Sequence, residues 1–340
     1  MNKCIARLLV LGDIHANVNA LLNILHYAFF QNVDYIITVG DIGPDILGDR
    51  LNVENLRLKL YSMETLSLLL EIAALKKDVY FILGNHDMPE FNFLDDTNKY
   101  LHNVDVNANG AMESNDNISI IGFGGSPKSE CLWPNEWDDN EIIFPEKYIN
   151  KWKKSKIRVL VTHTPPKNCW LDIDVDRSRH LGSDAIRNLL ISMKIKPSLM
   201  LCGHIHEGFG VDIVCETPCV NVGSLLGPFN EMMPILQNLD AINESHKYFL
   251  IDLYKDFVHI HIYQSCRSML YPFIEIGKFY VNKNKISMII KDGAFDIQSS
   301  DEAAPIIKTN EYFEPRIAVK TYLKSELLKV LNLKGRINDD

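Results

Sequence analysis

Short apolar runs alternate with longer segments of helical periodicity through the first two thirds of the chain. Apolar runs bounded by glycine or polar residues are typical of buried strands, and they fall at residues 5–11, 33–39, 79–83, 118–123, 157–162 and 198–202. Apolar residues spaced three and four apart predict helices over residues 17–30, 56–73 and 183–193, the last with Ser183 as its N-cap. This alternation predicts an α/β fold with buried sheets.

The pattern changes after Gly208, where strand-like runs follow one another with few helical segments between them. Strands are predicted at residues 210–214, 248–253, 257–263 and 286–290, and a last helix at 317–331. We therefore predict a catalytic domain over residues 1–264 and a mainly β C-terminal extension over residues 265–340. The extension would either pack on the domain or mediate assembly.

The composition is that of an ordinary globular protein. Of 340 residues, 46% are hydrophobic and 23% charged, which excludes the disordered and fibrous classes. The formal net charge is −9 and the pI about 5.7, so the chain lacks the basic surface that a non-specific binder of long nucleic acids needs. A small substrate is the expected partner.

The seven cysteines contain no C-x-x-C pair, which argues against a disulfide framework and against a structural zinc knuckle. Free thiols favour a reducing, cytoplasmic setting. The apolar run at residues 5–11 is interpreted as a strand rather than a signal peptide, because it is short and leads into a polar motif. No run reaches the roughly 18 apolar residues of a membrane span, so no membrane association is expected.

Five short segments place metal-binding side chains directly after predicted strands. They are Gly12-Asp13-Ile14-His15, Gly40-Asp41, Gly84-Asn85-His86-Asp87, Thr162-His163 and Gly203-His204-Ile205-His206. Side chains at the ends of neighbouring strands converge on one edge of a sheet, where open α/β sheets bind ligands. A glycine precedes the ligand in four of the five segments, and it lets the backbone approach a metal or a phosphate without a Cβ in the way.

The donor set indicates transition metals. Two aspartates, four histidines and one asparagine combine carboxylate with imidazole, which suits manganese, iron, zinc, cobalt or nickel better than magnesium alone. These ligands are too many for one tetrahedral ion. Two ions bridged by one carboxylate would use them fully, as in the two-metal sites of phosphatases and nucleases. We expect two divalent transition metal ions, with manganese as the first choice.

Taken in this order, the five segments resemble the motifs of the calcineurin-like metallophosphoesterase superfamily over about residues 5–225. Within that superfamily, residues 162–166, 180–183, 202–207 and 220–224 are similar to the Icc-like predicted phosphoesterases. The resemblance implies a four-layer αββα sandwich of two mixed sheets. The mainly β extension would follow it.

The same resemblance implies two metal sites that share Asp41. The first would add Asp13, His15 and His206, and the second Asn85, His163 and His204. His86 would lie over the phosphate, stabilise developing charge and protonate the leaving oxygen, with Asp87 orienting its ring. One residue departs from the family pattern: Ala16 stands where a glycine is usual, which adds a methyl group to the pocket and removes no ligand.

The implied activity is hydrolysis of phosphate esters by a hydroxide shared between the two ions, without a covalent enzyme intermediate. A histidine acid suits a poor alkoxide leaving group, which favours a phosphodiesterase for a small or nucleotide-type substrate. The alternatives are a protein or nucleotide phosphomonoesterase, a nuclease, and a non-catalytic scaffold of the same fold. The intact His86 and ligand set argue against the scaffold.

Two long loops are candidates for substrate contact, because long loops in compact domains are more often functional than decorative. In the loop at residues 164–182, His180 is a candidate to contact the phosphate or the leaving group. In the loop at residues 124–141, Trp133 and Trp137 would stack on a base or sugar, anchor the loop itself or contact a partner.

Overall fold

A computed structural model of the chain describes residues 3–44, 55–88, 98–115, 117–140, 142–174, 179–225, 246–265, 273–290, 293–297 and 299–301. The helices in these ranges are α1 (Val18–Ala28), α2 (Asn55–Ala73), α3 (Ile149–Lys154) and α4 (Asp184–Ser192). The helix predicted over residues 317–331 lies outside the described residues.

The strands of the first half are β1 (Ala6–Leu11), β2 (Tyr35–Thr38), β3 (Asp78–Phe81), β4 (Leu101–Asn103), β5 (Glu113–Ser114), β6 (Ile118–Phe123), β7 (Ser126–Pro127), β8 (Glu136–Trp137) and β9 (Ile157–Thr162). Those of the second half are β10 (Ile173–Asp174), β11 (Arg179–His180), β12 (Leu199–Cys202), β13 (Gly210–Val214), β14 (Thr217–Asn221), β15 (Lys247–Leu253), β16 (Val258–Ser265), β17 (Phe273–Asn282), β18 (Lys285–Ile290) and β19 (Gly293–Ile297).

Most of these strands form two large mixed sheets. The first sheet has the order β19-β18-β17-β16-β15-β1-β2-β3-β4. Neighbouring strands are parallel from β1 to β4, and those from β1 through β15 to β19 are antiparallel. The second has the order β13-β14-β12-β9-β6-β5, with a parallel centre and antiparallel edges. The parallel strands of both sheets end on the same side of the molecule, where the predicted metal ligands follow them.

The two sheets stack face to face over one apolar core. Because successive side chains of a strand point to opposite faces, β1 contributes Leu8 and Val10 to this core, and β9 contributes Val159 and Val161. The outer face of the first sheet packs against α1 and α2, and that of the second against α3 and α4. These four layers confirm the αββα sandwich implied by the resemblance.

Helices α1 and α4 each begin at a residue whose side chain caps the first turn. At α1, the Asn17 side chain accepts a hydrogen bond from the Ala20 N–H at 2.9 Å. At α4, the predicted N-cap Ser183 accepts one from the Ile186 N–H at 3.0 Å. Each bond satisfies a backbone donor that the first helical turn leaves without an intrahelical partner.

The predicted strand-rich C-terminal extension is present. Its strands β17, β18 and β19 continue the first sheet, because β17 pairs along the length of β16. The proposed boundary after residue 264 stays a prediction. Among the described residues, no helix has the length and apolar character that crossing a membrane requires.

Candidate dinuclear metal centre

The predicted ligands follow five parallel strands and meet where the two sheets end side by side. Asp13 and Asp41 follow β1 and β2 of the first sheet, and Asn85 follows β3. The remaining ligands follow β9 and β12 of the second sheet. The junction is closed by the Asp13 N–H, which donates to the Gly223 carbonyl oxygen at 3.0 Å across the gap between the sheets.

One group of ligand atoms belongs to Asp13, His15 and His206, and these atoms all lie within 4.8 Å of one another. His206 Nε2 is 2.8 Å from Asp13 Oδ2 and 3.4 Å from His15 Nε2. Asp13 Oδ1 is buried and has no hydrogen-bond partner among the described residues. A buried carboxylate oxygen left unpaired is costly, so this group fits a bound cation.

A second group belongs to Asp41, His163 and His204, again with ligand atoms within 4.8 Å. His163 Nε2 lies 3.2 Å from Asp41 Oδ2 and 2.8 Å from the Asn85 side-chain oxygen. These atoms converge as the ligands of one ion would. Carboxylate, amide oxygen and imidazole together suit a transition metal such as manganese.

Asp41 links the two groups. Its Oδ2 atom is 3.2 Å from His163 Nε2 in the second group and 3.9 Å from His15 Nε2 in the first. Its Oδ1 atom accepts a hydrogen bond from the His86 backbone N–H at 2.9 Å, which holds the carboxylate in place. Asp41 therefore lies between the two groups, and all seven predicted metal ligands lie in or beside these groups.

The backbone at this junction adopts an unfavourable conformation at several ligands. His15, Asp41 and His204 have φ values of 45°, 47° and 63°, in the left-handed region that costs non-glycine residues roughly 1–3 kcal/mol each. Strain of this kind is retained where the surrounding structure over-determines it, and functional sites are where it concentrates. Ala16 shares this conformation with φ 54°, so a residue without a Cβ would fit its position with less strain.

Two glycines allow the carboxylates to approach the backbone of neighbouring segments. A Cβ built on Gly84 would lie 1.9 Å from Asp41 Oδ1, and one built on Gly203 would lie 2.3 Å from Asp13 Oδ1. No real Cβ tolerates such contacts. These glycines therefore allow close packing of the carboxylates, whereas the predicted approach of the backbone to a metal or a phosphate stays a prediction.

Burial and charge compete over protonation at the second group. Burial alone would raise the pKa of Asp41, but the nearby His163, His86 and His15 outweigh it and hold that pKa well below its usual range. Burial opposes protonation of His163, yet the Asp41 carboxylate raises its pKa to about 9. The pKa of His204 falls to about 3 through burial and the charge of His163. In the metal-free protein, one proton on His163 thus offsets the charge of Asp41.

His86 lies at the edge of the centre. Its Nε2 atom is 3.9 Å from Asp41 Oδ2, and its ring meets the His15 ring edge-on at a centroid distance of 5.1 Å. The indole of Trp133 lies over the imidazole at a centroid distance of 3.9 Å with 31° between the planes. Sequence reasoning left the role of Trp133 open, because nothing local to it shows which residue it covers.

Asp87 is buried between two loops. Its carboxylate accepts hydrogen bonds from the N–H groups of Ile42, Gly43 and Gly84 at 2.8–3.1 Å, so it ties the loop after β2 to the loop after β3. Burial and the nearby Asp41 charge raise its pKa. The predicted orientation of the His86 ring by Asp87 stays a prediction.

His180 lies on β11, which pairs with β10. Its Nδ1 atom is 2.6 Å from Oδ1 of the buried Asp172, and its Nε2 atom has no hydrogen-bond partner among the described residues. Asn221 connects the segment that precedes β10 to the turn after β12, because its side-chain amide donates at 2.9 Å both to Leu171 O and to Ile205 O. Asn221 lies in the segment 220–224 that carries part of the resemblance, but no local pattern shows which carbonyl groups it joins, and Asp172 lies in no motif.

Comparisons with known proteins agree with this architecture. A family model described as calcineurin-like phosphoesterase matches residues 6–208. An uncharacterized protein of Methanocaldococcus jannaschii is 35% identical over 145 residues, and the match spans 42% of this chain and 63% of that protein.

Among solved structures, one crystal structure superposes with a TM-score of 0.55 at 20% identity and covers 75% of this chain and 98% of its own, which shows a shared fold. The structure of TT1561 from Thermus thermophilus reaches a TM-score of 0.49 at 14% identity, covering 74% of this chain and 95% of its own. The second score is too low to support an argument about this chain.

Proposed function

The chain belongs to the calcineurin-like phosphoesterase family, and we propose that it is a metal-dependent phosphodiesterase for a small or nucleotide-type substrate. The match confirms the resemblance that its five motifs carry. The observation that supports the activity most directly is the position of Asp41. Its Oδ2 atom lies within 4 Å of an imidazole nitrogen in each of the two ligand groups, and within 4 Å of His86 Nε2.

The two ligand groups would hold two divalent ions, and we propose that both ions are manganese. Asp13, His15 and His206 would bind the first, and the second would be bound by Asn85 and by the histidines His163 and His204. Asp41 would be shared. When bound, the ions supply a water of lowered pKa and positive charge for the oxygens of the phosphate.

The chain itself supplies the proton for the leaving group. A water releases one proton to solvent and its oxygen bonds to phosphorus. As the bond from phosphorus to the leaving oxygen breaks, His86 gives its proton to that oxygen and then takes up a proton from solvent. The position of His86 is set by its backbone, whose N–H donates to Asp41. A proton donor matters most for a poor alkoxide leaving group, which is why we infer a diester substrate. Asp87 would keep the two loops of the centre together.

We propose that His180 contacts the substrate beside this centre. Asp172 accepts from its Nδ1 atom, which turns the opposite nitrogen away from Asp172. The net charge of −9 supports a small phosphate ester over long nucleic acid as the partner. The described cysteines are free thiols, in keeping with the proposed reducing, cytoplasmic setting.

The activity is tested with purified protein that has been dialysed against a chelator and reloaded with manganese. The substrates are bis(4-nitrophenyl) phosphate and the monoester 4-nitrophenyl phosphate. We expect metal-dependent turnover of the diester, and loss of that turnover in Asp41→Asn. The matched control is His26→Ala, which removes an exposed histidine on α1 and should leave turnover unchanged.

Each result decides between the candidate functions. Turnover of the monoester alone would favour a phosphomonoesterase and reject the diesterase. Absence of metal-dependent turnover with both substrates, in protein shown to bind manganese, would favour a scaffold of the same fold. A nuclease would show cleavage of oligonucleotides that exceeds cleavage of the small diester.

A further inference from the structure

We propose that Trp133 is a positioning residue that holds the His86 ring in the orientation needed for proton donation. The proposal rests on the proposed function, since it assigns Trp133 a part in the same leaving-group step. It is carried by three observations: the ring contact, the attachment of the loop that bears Trp133, and the absence, among the described residues, of another packing role for this side chain.

The ring contact is close. The centroids of Trp133 and His86 are 3.9 Å apart and their planes meet at 31°, so the indole covers one face of the imidazole. The His86 side chain retains 15% of its exposure. Rotation about the outer torsion of a histidine side chain has broad minima, so the backbone bond to Asp41 alone does not set the ring plane. The indole that covers the imidazole sets the plane of the His86 ring.

The loop that bears Trp133 is attached to the segment that bears His86. Two residues beyond the tryptophan, the Asn135 side-chain amide donates to the Gly84 carbonyl oxygen at 3.0 Å. The Asn135 backbone N–H donates to the Asn85 carbonyl oxygen at 3.1 Å. The two acceptor residues are the two that come immediately before His86 in the chain. The segments that bear the indole and the imidazole are therefore fixed to each other through Asn135.

Packing elsewhere does not account for the position of Trp133. In the same loop, Trp137 packs into the core behind the second sheet, and its indole N–H donates to the Gly124 carbonyl oxygen at 3.0 Å. Trp133 is part of none of the three apolar cores found in the described ranges. Its neighbour Leu132 is 64% exposed. Trp137 thus anchors the loop, and Trp133 is directed to His86.

The first test uses diesters with a series of leaving groups, from 4-nitrophenol to phenol. A lost proton donor slows poor leaving groups more than good ones, so Trp133→Ala and His86→Ala should both lose more kcat on the phenyl than on the 4-nitrophenyl ester. We expect a difference of at least tenfold. The double variant should lose no more than His86→Ala alone. Trp133→Phe should restore most of the rate, and Leu132→Ala should match the wild type.

The second test needs no activity. Diethyl pyrocarbonate modifies accessible histidine nitrogens, and peptide mass spectrometry follows its rate at His86 in metal-free protein. We expect the rate to rise several-fold in Trp133→Ala and to stay near the wild-type rate in Trp133→Phe and Leu132→Ala. If Trp133→Ala does not fold, Asn135→Ala serves instead, because it removes the side-chain bond to Gly84 and loosens the same loop.

The outcomes separate the two proposals. The positioning role is overturned if Trp133→Ala shows the same dependence of kcat on the leaving group as the wild type. It is also overturned if the loss of kcat in the double variant exceeds that of His86→Ala alone. An unchanged modification rate at His86 overturns it as well. A wild-type protein without turnover rejects the proposed function and the part of Trp133 in it, and the modification rate then decides only whether the indole covers His86.

Discussion

The Nδ1 atom of His163 lies 2.8 Å from the carbonyl oxygen of Val39. A carbonyl oxygen can only accept, so Nδ1 carries a hydrogen and the other nitrogen, Nε2, is directed to Asp41 and Asn85. The backbone of the loop after β2 thereby decides which nitrogen of this imidazole meets a metal, which is a recurrent arrangement at metal-binding histidines.

Manganese binding should release about one proton at pH 7 through His163. In the metal-free protein the pKa of His163 is raised to about 9, so Nε2 is protonated at neutral pH and must lose that proton to bind. Apparent affinity should rise with pH until the pH passes that pKa. Calorimetry in buffers of different ionisation enthalpy measures the proton release. His163→Ala should abolish it and weaken binding by at least about 100-fold, whereas His26→Ala should change neither.

His86→Ala should lower kcat by roughly 10²–10⁴-fold, the usual contribution of a positioned general acid. Manganese affinity should stay within about threefold of the wild type, because His86 belongs to neither ligand group and acts on the leaving group instead. Steady-state kinetics measures kcat, and calorimetry on the same preparation measures the affinity for manganese. A variant that binds manganese and keeps full activity would falsify the role given to His86.

His180→Ala should raise KM for the diester and leave manganese affinity unchanged, because His180 is in neither ligand group. Its partner allows a matched comparison. Asp172→Asn keeps the size of the side chain but weakens the hold on His180 Nδ1, which is 2.6 Å away, so it should raise KM by a smaller factor. Equal kinetics in the wild type and His180→Ala would show that this histidine does not contact the substrate.

Gly84→Ala should remove manganese binding and reduce stability. The added Cβ would lie 1.9 Å from Asp41 Oδ1, so the carboxylate shared by both groups must move. The control is Gly277→Ala on β17, where the closest atom, 3.1 Å away, belongs to the Phe279 side chain. Thermal unfolding with and without manganese distinguishes them: the metal should raise the Tm of the control and not that of Gly84→Ala.

Asp212 should make stability depend on pH. Burial raises its pKa to about 6, although the Ser300 side chain and three backbone N–H groups partly offset the effect. The native state therefore holds this proton more tightly than the unfolded state, whose pKa is near 3.8. The stabilisation is fully present below the unfolded pKa and is lost as the pH rises through about 6.

The comparison that measures this effect is between the wild type and Asp212→Asn, which does not titrate. Between pH 4 and pH 7, the free energy of unfolding of the wild type should fall relative to that of Asp212→Asn by about 2 kcal/mol. Chemical denaturation of metal-free protein at several pH values gives the curve. A difference that stays constant over this range would contradict a raised pKa at Asp212.

The sequence by itself determined the layers of the fold and the positions of the candidate ligands at the ends of the strands. Alternating strands and helices predicted the α/β sandwich, and Ser183 was predicted as the N-cap of α4, because both signals are local to each element. Each ligand directly follows a strand, so the rule that parallel strands end at one edge was enough to bring Asp13, Asp41 and His163 together.

The tertiary structure alone decided which side chains hold the ligands in place. Trp133 lies 47 positions from His86, and Asn221 joins carbonyl groups at residues 171 and 205. Such contacts depend on the path of loops that have no periodicity and on the twist of two stacked sheets. A local pattern specifies where a strand ends and which residue follows it, but it carries no information about the residue that packs over that end from elsewhere in the chain.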